Sequence, residues 1–295
     1  MQRWPDYAAR RAIHARMQVA ACRLRLPFRT RTWRGESGNW QGAGVGSSID
    51  FQDHRQYLPG DDPRYIDWQA YARTGHYTMK LYREEVSPRI DLVLDVSDSM
   101  FFEEVKCTRA LELFYFCAES ALQSGSSLRC HAVNGLSTVP WPVDSLFAER
   151  ELPAPNDDSD SVATPALVRV PWRQGSMRVF ISDLLFPGSP EPLLAALAVN
   201  KGRGLIFAPF CRTESEPDWD GNLELVDCET RHQRVQHVAP ELLERYSQSY
   251  LRHFQLWKEH GRKHAVLLSR VAAEPEFADA LRTDAVRTGA VELVN

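Results

Sequence analysis

The chain has 295 residues, of which 43% are hydrophobic and 25% are charged, and this is ordinary usage for a globular protein. This length suits one large domain, or one domain with a smaller one, and it can bury a full core without disulfides. The net charge of −4 argues against a nucleic-acid-binding protein, because such proteins present a strongly basic surface.

Segments that would place the chain in a membrane or outside the cell are absent from the sequence. No stretch of about 18 apolar residues occurs, and arginines interrupt the N-terminus where a signal peptide would be apolar. None of the six cysteines forms a Cys-x-x-Cys pair, so a zinc site is not indicated. The sequence therefore predicts a soluble, cytoplasmic protein with no transmembrane segment.

The N-terminal region is basic, with nine arginines against one acid, Asp6, in residues 1–34. Residues 5–22 have the pattern of an amphipathic helix, with Pro5 near its start. One interpretation is a basic helix face that docks on the acidic remainder of the chain. The other is a site for anionic lipid or an acidic partner, which would allow peripheral contact with a membrane.

The next region is predicted to be rich in turns and strands. Residues 35–48 read as a loop, and Pro59-Gly60 is a turn signal. Residues 77–82 alternate as in a half-buried strand. We therefore predict that residues 1–88 form a segment with one helix and a small β-rich part.

From residue 89 onward, short apolar strands alternate with helices. The predicted strands are residues 90–94, 128–133, 177–181, 204–207, 265–268 and 290–294, and the predicted helices are residues 103–123, 190–200, 240–260 and 274–281. This alternation predicts an α/β domain over residues 89–295, with a mainly parallel sheet and helices on both faces. Residues 135–176 and 212–222 are predicted to be irregular.

Oxygen-bearing side chains follow two of the predicted strands. Asp95, Ser97 and Ser99 come directly after the strand that ends at Leu94, and Asp183 comes after the strand over 177–181. Ligands bind at the carboxyl ends of parallel strands, so these side chains are expected to meet at one edge of the sheet. Hard oxygen donors suit Mg²⁺ best, and Mn²⁺ or Ca²⁺ as alternatives.

The resulting hypothesis is a divalent-cation site with one coordination position open to a carboxylate from a partner. Asp and Ser after a strand are also ordinary residues of turns and helix N-caps. A metal-free loop that only caps a helix therefore stays open as an alternative.

Two short motifs resemble a known metal site. Asp95-x-Ser97-x-Ser99 is similar to the first segment of the metal-ion-dependent adhesion site of von Willebrand factor A domains, and Ser182-Asp183 is similar to its third segment. The second segment normally supplies a Thr ahead of a helix, and Thr164 is the candidate. Only about thirteen residues separate Thr164 from the strand at 177, too few for the usual helix.

A longer block, from Arg55 to Thr74, is similar to the signature of the domain-of-unknown-function-58 family, although Gln56 stands where the family usually has Glu. The resemblance implies a von Willebrand factor A-like, Rossmann-type domain. It also implies a role as companion of a MoxR-type AAA+ ATPase in complex assembly or chaperoning.

The signature block carries its own electrostatic pattern, in which arginines alternate with acids along the chain. Arg can bind a carboxylate with two hydrogen bonds, which fixes loop geometry. We interpret the block as a structural latch, with a partner-docking surface as the alternative. The residues assigned to this role are Arg55, Asp61, Asp62, Arg64, Asp67, Trp68 and Arg73.

Enzymatic readings find less support. A haloacid-dehalogenase-type phosphatase would have an acid at the position of Ser97, and no Gly-x-Ser-x-Gly elbow of a serine hydrolase is present. No His or Glu lies in the two site segments to act as a general base. The sequence therefore favours a non-enzymatic adaptor, with a metal-dependent hydrolase and a metal-free scaffold as the alternatives.

Overall fold

The computed structural model of the protein describes residues 5–28, 49–58, 61–84, 88–148 and 164–294. The predicted loop over 35–48, the turn at Pro59-Gly60 and residues 149–163 of the predicted irregular segment lie outside the described residues. The chain divides into two compact units. The larger comprises residues 1–35 and 88–295, and the smaller comprises residues 36–87.

The described elements of the chain are, in order, α1 (Tyr7–Ala21), β1 (Leu24–Arg25), β2 (Ile49–Gln56), α2 (Trp68–Thr74), β3 (Thr78–Glu84), β4 (Arg89–Asp95), α3 (Glu104–Gln123), β5 (Ser127–Asn134), β6 (Ser137–Trp141), α4 (Val143–Leu146), β7 (Met177–Ile181), α5 (Glu191–Ala198), β8 (Arg203–Phe210), α6 (Arg212–Ser215), β9 (Gly221–Val226), β10 (Gln233–Val238), α7 (Pro240–Lys263), β11 (Leu267–Ala272), α8 (Phe277–Thr283), α9 (Ala285–Thr288) and β12 (Glu292–Leu293). Among the helices in these ranges, none is both long and apolar enough to cross a membrane.

The larger unit is built around a six-stranded sheet with the order β11-β8-β7-β4-β5-β6. All neighbouring strands are parallel except β6, which runs antiparallel to β5 at the edge. This confirms the predicted α/β fold with a mainly parallel sheet. Counted along the chain, the sheet strands lie in the order 3-2-1-4-5-6, so the order reverses between β4 and β7. Ligands of open α/β sheets bind at such a reversal.

Successive side chains of each strand point to opposite faces of the sheet. Both faces are buried, each in a core of its own. In β4, Leu92 and Leu94 join one apolar core with residues of α1, α3 and α8. Val93, between them, joins a second core with residues of α5 and α7. Each fully buried aliphatic side chain of this kind contributes about 1.5–3 kcal/mol relative to an exposed one.

Helix α1 packs on α3 in the larger unit, whereas the sequence interpretation grouped it with the β-rich segment. Ile13 and Met17 are buried in the first core. The ring of His14 lies 2.5 Å from the carboxylate of Glu119, and the backbone N–H of Leu26 donates to Ser120 Oγ at 2.8 Å. Helix α3 carries buried polar groups on this side, so it needs a partner helix to satisfy them.

The basic N-terminal residues are partly paired with acids of the same unit. Arg16 lies 3.0 Å from Glu112, and Arg25 lies 3.5 Å from Glu292. These pairs support the interpretation of a basic face docked on acidic residues.

The smaller unit is a β-hairpin with a short helix. Strands β2 and β3 pair antiparallel, with an irregularity of register between Phe51 and Asp53. Strand β3 confirms the predicted strand at 77–82, whereas β2 was not predicted. Helix α2 ends at Gly75, whose φ of 72° is the left-handed conformation that favours glycine at a helix end.

A hairpin formed by β9 and β10 was also missed by the sequence analysis. Its strands pair antiparallel, with Gly221 opposite Val238 at one end and Val226 opposite Gln233 at the other. They form a two-stranded sheet. Most of its side chains, such as Val235, are exposed or half-buried. Because the strands lie largely outside the core, their sequence lacks the apolar run that marked the buried strands.

Candidate metal centre at the carboxyl edge of the sheet

The ends of β4 and β7 bring the predicted ligand Asp95 beside Ser182, the residue that precedes the predicted ligand Asp183. The strands are parallel neighbours with Leu94 opposite Ile181, so the next residues, Asp95 and Ser182, are also adjacent. The hydroxyl of Ser182 donates to Asp95 Oδ2 at 2.7 Å. The other oxygen of Asp95 accepts from the backbone N–H of Ser97 at 3.0 Å, which fixes the carboxylate on the loop.

The two predicted hydroxyl ligands lie together on the same loop. Ser97 Oγ and Ser99 Oγ are 3.2 Å apart, and both residues are half-buried. Ser99 belongs to a single 3₁₀ turn, Asp98–Phe101, that leads into α3. The loop therefore presents two adjacent hydroxyl oxygens beside Asp95.

Asp183 lies on the turn that follows β7. One of its oxygens accepts from the backbone N–H of Leu185 at 3.0 Å, and the carboxylate is almost fully buried. Between them, Leu184 has a φ of 61°, a left-handed conformation that is costly for a residue with a branched side chain. The fold thus holds Asp183 at this edge by a strained turn.

The surroundings of Asp95 disfavour the ionised form of its carboxylate. Burial, and then the negative charge of Asp183, raise the pKa of Asp95 to about 7, although hydrogen bonds from Ser182 and Ser97 oppose the shift. The side chain is only 1% exposed. Desolvation and a like charge both disfavour the ionised carboxylate. A positive charge beside Asp95 would therefore favour its ionised form.

A buried lysine, which the sequence analysis missed, supplies part of that charge. Lys106 of α3 is 1% exposed, and its Nζ donates to Asp183 Oδ2 at 2.7 Å and to Glu214 Oε1. Burial opposes the ammonium form, but the charges and hydrogen bonds of Asp183 and Glu214 raise the pKa of Lys106 above its ordinary value. The helix pattern gave no signal that singled it out, because Arg109, Glu112 and Glu119 of α3 are buried as well.

Thr164 does not join the other four predicted ligands through a hydrogen bond. Its hydroxyl donates to the carbonyl oxygen of Pro187 at 2.7 Å, and within the described residues it makes no hydrogen bond to Asp95 or Asp183. A single 3₁₀ turn, Leu167–Arg169, follows it in place of a longer helix.

Two of the signature arginines, Arg55 and Arg64, make ion pairs within the smaller unit. Arg55 binds Asp61 with two hydrogen bonds of 2.8 and 2.7 Å. These hydrogen bonds lower the pKa of the Asp61 carboxyl group. Arg64 binds the carboxylate of Asp62, with Nη2 2.6 Å from Oδ2. Paired arginine and carboxylate groups of this kind fix the conformation of a loop.

The remaining signature residues belong to helix α2. Asp67 caps the helix by accepting from the backbone N–H groups of Gln69 and Ala70. Arg73 donates to the carbonyl oxygen of Gln69 at 3.3 Å. Trp68 is 58% exposed. Its ring lies edge-on to those of Tyr71 and Tyr77.

Comparison with known families identifies the group to which this chain belongs. A family model described as "Protein of unknown function DUF58" matches residues 53–255, which is more than half of the chain. The chain belongs to the DUF58 family. The DUF58 match covers the signature block, both site segments and Lys106.

Curated relatives are also found. Uncharacterized proteins of Mycobacterium bovis and Mycobacterium tuberculosis are 29% identical to this DUF58 chain over 215 residues, which cover 68% of the chain and 67% of each relative. No solved structure matches the chain.

The residues at the edge of this DUF58 domain fit a hard divalent cation. Within the described ranges, no group of three or more His, Cys, Asp or Glu side chains is placed to hold a metal ion. Mg²⁺ does not require such a group, since it takes one or two carboxylates and keeps several waters. Asp95 and Asp183 supply two carboxylates, and Ser97 and Ser99 supply hydroxyls.

The raised pKa of Asp95 predicts a pH effect on stability. In the window between its usual value of 3.8 and about 7, the folded chain keeps a proton that the unfolded chain has released. Without added metal, the free energy of unfolding should therefore fall as the pH rises through this window, by about 4 kcal/mol from this group.

Urea unfolding in EDTA at stepped pH values measures this effect. Asp95→Asn should remove that part of the slope, because the amide does not titrate. An identical slope in the wild type and in Asp95→Asn would contradict the prediction. Added Mg²⁺ at high pH should restore stability to the wild type and not to the variant.

Proposed function

We propose that this DUF58 chain is a non-enzymatic, cytoplasmic protein-binding adaptor with a von Willebrand factor A-like domain and a metal-ion-dependent adhesion-type site. The single observation that carries the proposal is the meeting of Asp95 and Asp183 at neighbouring strand ends, beside the paired hydroxyls of Ser97 and Ser99. The reversal of strand order between β4 and β7 supports a Rossmann-type ligand site at that place.

In this proposal, Asp95, Ser97 and Ser99 hold a divalent cation, Mg²⁺ before Mn²⁺ or Ca²⁺, and Asp183 contributes directly or through water. When bound, the cation offers an open coordination position to an acidic side chain of the partner. Ser182 keeps the Asp95 carboxylate oriented through its hydrogen bond. Lys106 keeps Asp183 in place and limits the excess negative charge. Thr164 stays a weaker candidate because its hydroxyl is engaged with Pro187.

The acids that reach this edge support binding rather than catalysis. Glu214 is engaged by Lys106 and by the backbone N–H of Cys211, and Glu229 accepts from the backbone N–H of Ser99. A general base needs a free position within reach of a proton on the substrate. The partner class, a MoxR-type AAA+ ATPase in complex assembly or chaperoning, rests on the family resemblance.

The test of this proposal is capture of such an ATPase by the purified full chain, with Mg²⁺ or with EDTA. Asp95→Ala should abolish Mg²⁺-dependent capture, because the cation loses its principal carboxylate, while thermal unfolding shows a folded protein. Asp144→Ala, which removes an exposed acid on α4, is the matched control and should capture normally.

Two results would contradict the proposal. Capture that is unaffected by EDTA and by Asp95→Ala would exclude the adhesion-type mechanism. Phosphoester turnover by the wild type that Asp183→Asn stops would show a hydrolase instead.

A further inference from the structure

We propose that a cavity beside helices α1 and α3 binds an alkyl carboxylate, and that the buried side chain of Arg109 receives its carboxylate group. This inference goes beyond the proposed function. Among the residues that the structure describes, the cavity lining includes none of the five predicted metal ligands and not Lys106. The two sites can therefore be tested separately.

The cavity has a volume of about 970 Å³, at the upper end of the range for small-molecule sites. Helix α1 contributes Ala15 to Ala20 to its lining, and α3 contributes residues between Glu104 and Glu112. The latter span is about 12 Å long at the rise of a helix, which leaves room for an extended alkyl chain. Residues 273–278 and 293–294 complete the lining.

Much of this lining is apolar and faces solvent. Four of its large apolar side chains are between 39% and 61% exposed, namely Val19, Val105, Leu293 and Val294. Apolar side chains that are exposed singly are ordinary, but several around one cavity form a patch of the kind that marks a binding groove. An alkyl chain in the cavity would remove this patch from water.

Arg109 of α3 brings an incompletely paired guanidinium group into the lining. Its side chain is 3% exposed, and Nη2 donates to the carbonyl oxygens of Ala273 and Pro275. Within the described residues, Nε and Nη1 have no hydrogen-bond partner, although Nε lies 3.4 Å from Glu112 Oε2. Leaving a buried N–H of a charged group without an acceptor is costly, so Arg109 calls for an acceptor from outside.

The acids that line the cavity are engaged by other groups. Glu112 lies 3.0 Å from Arg16 as well as 3.4 Å from Arg109, so two guanidinium groups share one carboxylate. Glu274 and Glu276 accept from backbone N–H groups at 2.6 and 2.7 Å. These contacts leave one positive charge in excess around Arg109 and Glu112.

An alkyl carboxylate matches both the apolar lining and this charge. A guanidinium group binds a carboxylate through charge-assisted hydrogen bonds, which are stronger than those to a neutral acceptor. The exposed charges of the lining are mixed, since Arg23 and Arg282 lie there with Glu104. The charge that selects the ligand is therefore the buried one, and the alkyl chain adds affinity through the walls.

The experiment titrates the full chain with decanoate by isothermal titration calorimetry, below the concentration at which micelles form and in EDTA. Decanol is the matched probe that lacks the carboxylate. Arg109→Met removes the guanidinium group, and Val105→Asp places a charge on the exposed apolar wall. Val226→Asp, at a position of similar exposure on β9 outside the cavity, is the control.

We expect the wild type to bind decanoate saturably. Decanol with the wild type, and decanoate with Arg109→Met, should each bind at least about tenfold more weakly, because both lose a hydrogen bond between charged groups. Val105→Asp should also weaken decanoate binding about tenfold, because its carboxylate would be desolvated beside the alkyl chain. Val226→Asp should bind as the wild type does.

Several results would overturn the inference. These are no saturable binding by the wild type, decanol binding as tightly as decanoate, or decanoate binding that Arg109→Met leaves unchanged. Binding that Val105→Asp leaves unchanged would place the ligand outside this cavity. If circular dichroism shows that Arg109→Met does not fold, the comparison of the two probes and Val105→Asp decide the question.

Discussion

Replacing Lys106 with methionine should destabilise the metal-free chain by about 3–5 kcal/mol, the range for removing one member of a buried ion pair. Methionine keeps much of the volume of lysine, so the loss reports the charge rather than a cavity. Asp183 is then left buried with no ammonium beside it, and Glu214 loses the same partner. Urea unfolding in EDTA at neutral pH measures the change in the free energy of unfolding.

The same variant should respond more strongly to metal than the wild type does. With the ammonium gone, Mg²⁺ is the remaining source of positive charge at this edge, and its binding to the folded state adds stability. Lys258→Met, at an exposed position on α7, is the control and should leave both measurements unchanged. If Lys106→Met is as stable as the wild type, the interpretation of Lys106 as the resident cation fails.

Replacing Asp91 with alanine should cost a similar amount, about 3–5 kcal/mol, without changing the response to Mg²⁺. Asp91 is 1% exposed and pairs with Arg173 Nε at 2.7 Å, and it also accepts from Ser176 Oγ at 2.7 Å. It lies on β4 four residues before Asp95, towards the amino end of the sheet, so the metal centre at the other end should be unaffected.

Chemical denaturation measures the stability of Asp91→Ala, and the thermal shift with Mg²⁺ measures its metal response. Asp144→Ala serves again as the exposed control. A loss of the Mg²⁺ shift in Asp91→Ala would show that the two ends of β4 are coupled, contrary to this prediction. A stability equal to that of the wild type would show that the buried pair with Arg173 contributes little.

The parallel sheet was predictable because its strands are buried on both faces and therefore read as continuous apolar runs. Strand β4 is the clearest example, with six buried residues ending in Asp95. Once two such strands were recognised, the meeting of Asp95 and Asp183 followed from the rule that parallel strands end at one edge. The placement of Asp95 and Asp183 at one edge of the sheet was therefore accessible from the sequence, whereas their role as metal ligands stays a prediction.

The contacts that set the electrostatics were not accessible in this way. Lys106 and Glu214 reach the site from α3 and from the short helix α6, and their pairing depends on how these helices pack. Glu229 comes from an exposed hairpin whose polar strands give no apolar signal. A sequence pattern reports burial along one element, and these residues meet only through tertiary packing.

The packing partner of helix α1 is also something that the sequence pattern could not predict. Its amphipathic pattern predicted a helix with an apolar side, and Ile13 and Met17 are indeed buried. The pattern could not say which surface would receive that side. The polar residues Glu119 and Ser120 of α3 decide it, because they satisfy groups of the N-terminal segment.

Helix α3 is continuous and carries Lys106 in its first turn. Further along it carries Glu112 and Glu119, the acids that contact helix α1. Successive residues of a helix rise by only about 1.5 Å, so these positions move as one body. Deleting residues 5–28 would remove the partners of Glu112 and Glu119, which are Arg16 and His14 of α1. Because these acids and Lys106 share one helix, metal titrations should use a chain that keeps residues 5–28.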